Sequence, residues 1–145
     1  MPLNTFNVGS DCKIVVQHPL AAGGQLDLGD VTGFKAAQQT KPLTYTTLEG
    51  QTKKAEYPVG WAGMFQLERT DHTVDDFIST LEQAVLNGQS PTAGVIYQYV
   101  TETDGSISTY QFTGVAFKMA DAGTYAGAET VKQTLNFAAS ARVRV

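Results

Sequence analysis

The last stretch of the chain limits its fold more than any other feature. Val131, Gln133, Leu135, Phe137, Ala139, Ala141, Val143 and Val145 occupy alternate positions and are apolar with one exception. Lys132, Thr134, Asn136, Ala138, Ser140, Arg142 and Arg144 lie between them and are mostly polar. Successive side chains of a strand point to opposite faces, so this spacing predicts a long half-buried β-strand over 129–145. A strand running to the last residue predicts a terminus held in a sheet.

The same period of two recurs upstream. Val95–Thr103 and Ile107–Lys118 are rich in β-branched and aromatic residues, and Asp104-Gly105 between them is a strong hairpin signal. Val95, Tyr97 and Tyr99 share a face, as do Tyr110 and Phe112, so aromatic side chains can pair across the strands. Earlier strands are expected at Lys13–Gln17, Val31–Gln38 and Ala62–Thr70. A polar hairpin is expected over 43–57, turning at Glu49-Gly50. Its residues Thr44, Thr46, Thr47, Gln51, Thr52, Lys53, Lys54 and Glu56 give no apolar face to bury, so it reads as a mobile loop or an arm that finds its partner on another chain.

One helix is expected over 73–87. Thr73 is placed to cap it, with Asp76 in capping-box position and Asp75 and Asp76 at the positive end of the helix dipole. Val74, Phe77, Ile78, Leu81 and Val85 form one apolar stripe for packing on a sheet. Asn87-Gly88 supplies the left-handed stop. The expected fold is therefore mainly β, a sandwich or barrel with one amphipathic helix. It forms a single domain over 1–145, with an N-terminal arm over 1–11.

Only 17% of the 145 residues are charged, below the ~25% usual in globular domains. Thr, Gln, Ser and Gly fill the difference, a surface suited to strands and subunit contacts. The net charge of −4 and the absence of a basic stripe argue against a conventional nucleic-acid binder. With Cys12 alone, neither an intrachain disulfide nor a CxxC metal site can be built. Cys12 alternates with Ile14 and Val16, which reads as a core thiol. His18 and His72 are far apart, without metal-ligand spacing, and read as surface or loop residues. Adjacent carboxylates such as Asp75 and Asp76 do not face each other on a helix, and capping accounts for them. Gly60-Trp61-Ala62-Gly63 is not a phosphate-cradling loop. No triad, cofactor site or metal site is expected. The N-terminus has no basic and apolar leader, and the apolar runs are too short to span a bilayer, so cytoplasmic synthesis is expected.

Several local features occur together in a fixed order. Val8-Gly9-Ser10-Asp11-Cys12 leads into a first strand, followed by Leu28-Gly29 and Thr32-Gly33-Phe34. A polar hairpin precedes Tyr57-Pro58-Val59-Gly60-Trp61-Ala62-Gly63 and Glu68-Arg69. The helix with Asp75-Asp76-Phe77-Ile78, a strand hairpin, Gly123-Thr124-Tyr125 and Ala138-Ala139-Ser140-Ala141-Arg142 complete the series. Over essentially its whole length the chain resembles a bacteriophage tail tube protein, a family related in fold to the ring protein of type VI secretion systems.

That resemblance implies homohexameric rings whose strands join into one inner β-barrel, with the helix outside and the polar hairpin and termini between stacked rings. It implies a structural, non-enzymatic part of a virion tail, assembled in the bacterial host cytoplasm. The channel would hold a tape-measure protein and then pass DNA without specific binding or any membrane role. A sheath protein, a baseplate hub and a tail terminator are further partners. Thr44, Thr46, Glu49, Gln51, Lys53, Lys54, Arg142 and Arg144 are the candidates for contacts between rings. Gln98, Glu102, Thr109, Gln111, Thr134 and Asn136 are the candidates for the channel wall. Three alternatives remain open at this point: the type VI ring protein, a tail terminator or initiator ring, and a monomeric small-molecule-binding β-barrel.

Overall fold

The computed structural model describes residues 6–145. Of the expected N-terminal arm, residues 1–5 lie outside the described residues. The elements are β1 (Cys12–Gln17), β2 (Gln25–Leu26), β3 (Asp30–Thr46), β4 (Thr52–Glu68), α1 (Thr73–Leu86), β5 (Gly94–Thr101), β6 (Ile107–Asp121), β7 (Lys132–Ala139) and β8 (Ala141–Arg144). Every pairing is antiparallel, in the order β2-β1-β5-β6-β7-β4-β3, with β8 also on β6.

β6 serves two sheets. Its first half pairs with β5 and β8, and its second half pairs with β7. The first sheet comprises β2, β1, β5, β8 and the start of β6. The second comprises β3, β4, β7 and the end of β6. They pack face to face, since Phe112 of the first lies 6.1 Å from both Phe34 and Trp61 of the second, measured between ring centroids. Val16, Phe65, Leu67, Ile96, Val115, Leu135 and Phe137 fill the space between. Phe34 stacks on Phe137 at 5.7 Å.

A shared bend at Gly114 and Ser140 carries the chain from one sheet to the other. The Ser140 N–H donates to the Thr113 carbonyl at 2.8 Å. Gly114 has φ +62°, and a Cβ there would lie 2.5 Å from Ser140 Oγ, so the bend requires glycine. The inward face changes parity at this point. On β6 it passes from Phe112 to Val115, and on the partner it passes from Ala139 to Arg142, which sits opposite Phe112. The expected single strand over 129–145 is therefore two strands. Val143 and Val145, expected on the buried face, are 50% and 74% exposed.

The strands expected at Val31–Gln38 and Ala62–Thr70 are continuous with the polar hairpin. β3 and β4 are 17 residues each, paired from Asp30↔Glu68 to Thr46↔Thr52. Both hairpin tips are three-residue loops. Gly50 N–H donates to Thr47 O and Gly105 N–H to Glu102 O, both at 3.0 Å, with only the glycines at positive φ. Asp104-Gly105 thus ends a type I turn with a bulge, because Asp104 keeps a negative φ.

α1 covers the end of the sandwich where Phe77 meets His18 at 4.9 Å and Phe117 at 5.7 Å. His18 is buried, against the expectation of a surface position. Its Nδ1 accepts from Leu20 N–H and its Nε2 donates to Thr92 O, each at 3.0 Å, so a neutral ring satisfies both of its nitrogens. The first turn of α1 is capped differently from expectation. Asp71 Oδ1 accepts from Thr73 N–H at 3.0 Å, and Asp76 pairs with the His72 ring. Asp75 bridges Arg69 and the buried Gln133, both at 3.0 Å.

Candidate assembly surfaces

The most prominent surface is the arm formed by the far halves of β3 and β4. Only Trp61–Glu68 of β4 pairs with β7, so Thr52–Gly60 and its β3 partners continue beyond the sandwich. Nine strand residues rise about 30 Å. Directly opposed residues share a face, and the register gives the arm two unlike faces. One carries Thr40, Pro42, Thr44, Thr46, Thr52, Lys54 and Glu56. The other carries Lys41, Leu43, Tyr45, Lys53, Ala55 and Tyr57. The arm therefore does have an apolar face, contrary to the sequence-based expectation. Leu43, Tyr45 and Tyr57 are exposed, and Leu48 at the tip is fully so. Alternation at Leu43 and Tyr45 was visible in the sequence. Tyr57 joins them only once the register is known. Of the candidate inter-ring residues, Thr44, Thr46 and Lys54 lie on the polar face, Lys53 on the apolar face, and Glu49 and Gln51 at the tip.

The sheet is open. Among the described residues, β3 pairs only with β4, so no other described strand covers its outer edge over its 17 residues. β2 pairs with Val16 and Gln17 of β1, so among the described residues Cys12–Val15 have no second neighbour. Long free edges are aggregation hazards unless another strand covers them.

The candidate channel residues do not share a face. Gln98 points inward, opposite Tyr110 and beside Cys12, whose Sγ accepts from Gln98 Nε2 at 3.5 Å. Thr109 and Gln111 lie on the outer face of the first sheet with Val15, Tyr97, Tyr99 and Val143, and Glu102 lies in the turn after β5. Thr134 and Asn136 lie on the outer face of the second sheet. There Lys35, Lys118 and Lys132 are matched by Asp30, Glu68 and Asp121, among Gly33, Ala37, Ala62, Ala116 and Ala138. Apart from Met64, opposite Lys35 and Asn136, that face carries small or polar side chains, and its charges balance.

Arg142 and Arg144 are both engaged within the chain. The Arg142 guanidinium lies 3.8 Å from the centre of the Tyr110 ring and 5.0 Å from that of Trp61, and its Nη2 donates to Gln98 Oε1 at 3.3 Å. Its buried Nε has no hydrogen-bond partner among the described residues. The aromatic faces stabilise this cation in place of a carboxylate. Arg144 Nη2 donates to Ser108 Oγ at 3.3 Å.

Among the described residues, no cluster of His, Cys, Asp or Glu has the makings of a metal site. No helix among them is long and apolar enough to cross a membrane. Three charged groups are shifted. Hydrogen bonds from Thr73 lower the pKa of Asp71, those from Ser106 lower that of Asp104, and the bond to Asp75 raises that of Arg69.

No protein-family model and no curated protein matches the chain. Solved structures do. A chain of the sheath–tube complex of an extracellular contractile injection system in its extended state superposes with a TM-score of 0.62 at 11% identity, covering 97% of this chain and 93% of that one. A chain of the sheath/tube terminator of the same kind of system gives 0.59 at 11% identity, covering 100% and 97%. A chain of the tail of a gene transfer agent particle, refined with C6 symmetry, gives 0.56 at 13% identity, covering 97% and 99%. The fold of the chain is thus one found in the tails of contractile injection systems and phage-like particles, in agreement with the tail-tube resemblance.

Proposed function

We propose that this chain is a structural, non-enzymatic tail-tube subunit that closes into homohexameric rings and stacks them into a tube. The free β3 edge carries the reading. A 17-residue strand with one neighbour needs a second, and identical copies arranged in a ring supply it while removing every such edge. The six-fold symmetry of the gene transfer agent tail supports that ring number.

The outer face of the second sheet, with Thr134 and Asn136, lines the channel in this reading. Its mostly small or polar side chains and balanced charge suit the passage of a tape-measure protein and then of DNA, whose phosphates a basic wall would hold. The outer face of the first sheet, where Tyr97, Tyr99, Val15 and Val143 lie among Lys13, Thr109 and Gln111, faces protein neighbours in this reading. A sheath, a baseplate hub and a terminator are the partner classes, and the tail of a virion-like particle is the location.

The test is negative-stain microscopy of the purified protein at rising concentration. Hollow tubes with a constant diameter are expected. A compact single-chain particle at every concentration contradicts the proposal. A second reading, a terminator ring, is favoured by the comparable likeness to the sheath/tube terminator. It predicts single rings that never lengthen.

A further inference from the structure

The apolar stripe of α1 extends past its own packing partner. Val74 and Phe77 are buried and Ile78 and Leu81 half-buried, but Val85 and Leu86 are 47% and 68% exposed. Between this second half of the helix and β6 runs an open groove of about 260 Å³, bordered by Leu20, Leu81, Val85, Phe117 and Met119. That is below the ~300–1,000 Å³ of small-molecule sites, and its size fits one or two aliphatic side chains. Glu82 of α1 and Lys118 of β6 also border it. The helix carries Asp75, Asp76 and Glu82 and has no Lys or Arg.

The same chain carries a projection with the complementary chemistry. Leu48 stands fully exposed at the arm tip beside Glu49, and Lys53 and Lys41 accompany Tyr45 and Leu43 on the apolar face. From this match we infer that the arm of one copy seats Leu48 in the α1–β6 groove of a second copy. Lys53 then approaches Glu82, which borders the groove. The arm cannot fill its own groove. β4 carries the arm at its start and delivers the chain to α1 at its end, so the tip stands about 30 Å beyond the sandwich. A tip-to-groove contact joins unlike surfaces, so it propagates from copy to copy and builds a stack. The inference rests on the tube reading and adds the receiving surface.

Cross-linking of the full-length chain tests it. In a Cys12→Ser background, Leu48→Cys and Val85→Cys are combined and the protein is oxidised mildly under assembly conditions. Both positions are exposed, so the fold tolerates the changes. A ladder of disulfide-linked multimers on a non-reducing gel is expected, and its absence when Lys13→Cys replaces Val85→Cys. Normal tubes without the Leu48–Val85 ladder overturn the seating while leaving the tube reading intact. Unaltered protein that forms no ring or tube removes both, and a Cys12→Ser parent is used only once it assembles as the unaltered protein does. As a second measurement, Lys53→Glu raises the concentration needed for assembly by about fivefold, and Glu82→Lys in the same chain restores it. Failure of the restoration also counts against the contact.

Discussion

At the scale of single residues, the chain uses polar groups where sequence patterning alone would place none. His18 replaces an apolar residue at the junction of β1, α1 and β6, touching Phe77 and Phe117 while tying Leu20 and Thr92 together. His18→Leu keeps the volume and orphans the Leu20 amide and the Thr92 carbonyl, so urea unfolding should show a loss of about 2–4 kcal/mol. A loss below about 1 kcal/mol would mean that water satisfies both groups. Asp71 makes a pH-dependent contribution. Its pKa is lowered by the Thr73 amide, so the stabilisation is complete above the ordinary carboxylate value and disappears as pH falls through the lowered one. The stability difference between wild type and Asp71→Ala should therefore be constant near neutrality and shrink below about pH 4. A gap that persists at low pH would rule out the ionised cap. Neither role was legible in the sequence, because each depends on a loop being folded back on its neighbour. Cys12 was legible only in part: the alternation with Ile14 and Val16 gives its side of the strand, but at the start of β1 it is half-buried and outside the core.

At the scale of elements, period and composition located the helix and most strands but missed two long-range features. The first is the joint bend at Gly114 and Ser140. Nothing local to Ser140 signals it, because its cause is the Gly114 backbone on another strand. A period-two reading that continues through the bend assigns Val143 and Arg142 to the wrong faces. The second is the apolar side of the arm, which is built from Leu43 and Tyr45 on β3 and Tyr57 on β4, and is hidden until the register pairs Lys41 with Tyr57 and Tyr45 with Lys53. These tyrosines have little to do in the isolated subunit. Tyr45→Thr with Tyr57→Thr should leave the unfolding midpoint of the monomer nearly unchanged, since exposed cross-strand pairs contribute only about 0.2–1 kcal/mol. Assembly measured by light scattering should fall sharply. If the monomer loses several kcal/mol and assembly persists, the arm folds onto its own body and its apolar face is structural.

At the scale of the molecule, the two sheets are sealed against each other and open at their sides. The core lies between them, so the subunit can fold alone. Among the described residues, β3, the longest edge, pairs on one side only. A folded unit with an incomplete sheet is able to polymerise without refolding, and backbone amides report whether it does. In an edge strand every second N–H faces away from its only neighbour. For Val31–Gln39 of β3, those outward amides should exchange with deuterium quickly in dilute monomer and slowly after assembly. The inward amides, already bonded to β4, should change little. An alternating pattern of new protection along this strand, read by mass spectrometry or NMR, is the signature of an added strand. Uniform protection along β3 would mean that the edge is merely shielded by a side-chain contact, and no new protection would mean that copies associate elsewhere. Only the alternating outcome makes the subunit a section of a continuous barrel, because closure requires each β3 to bond a neighbour's backbone along its length.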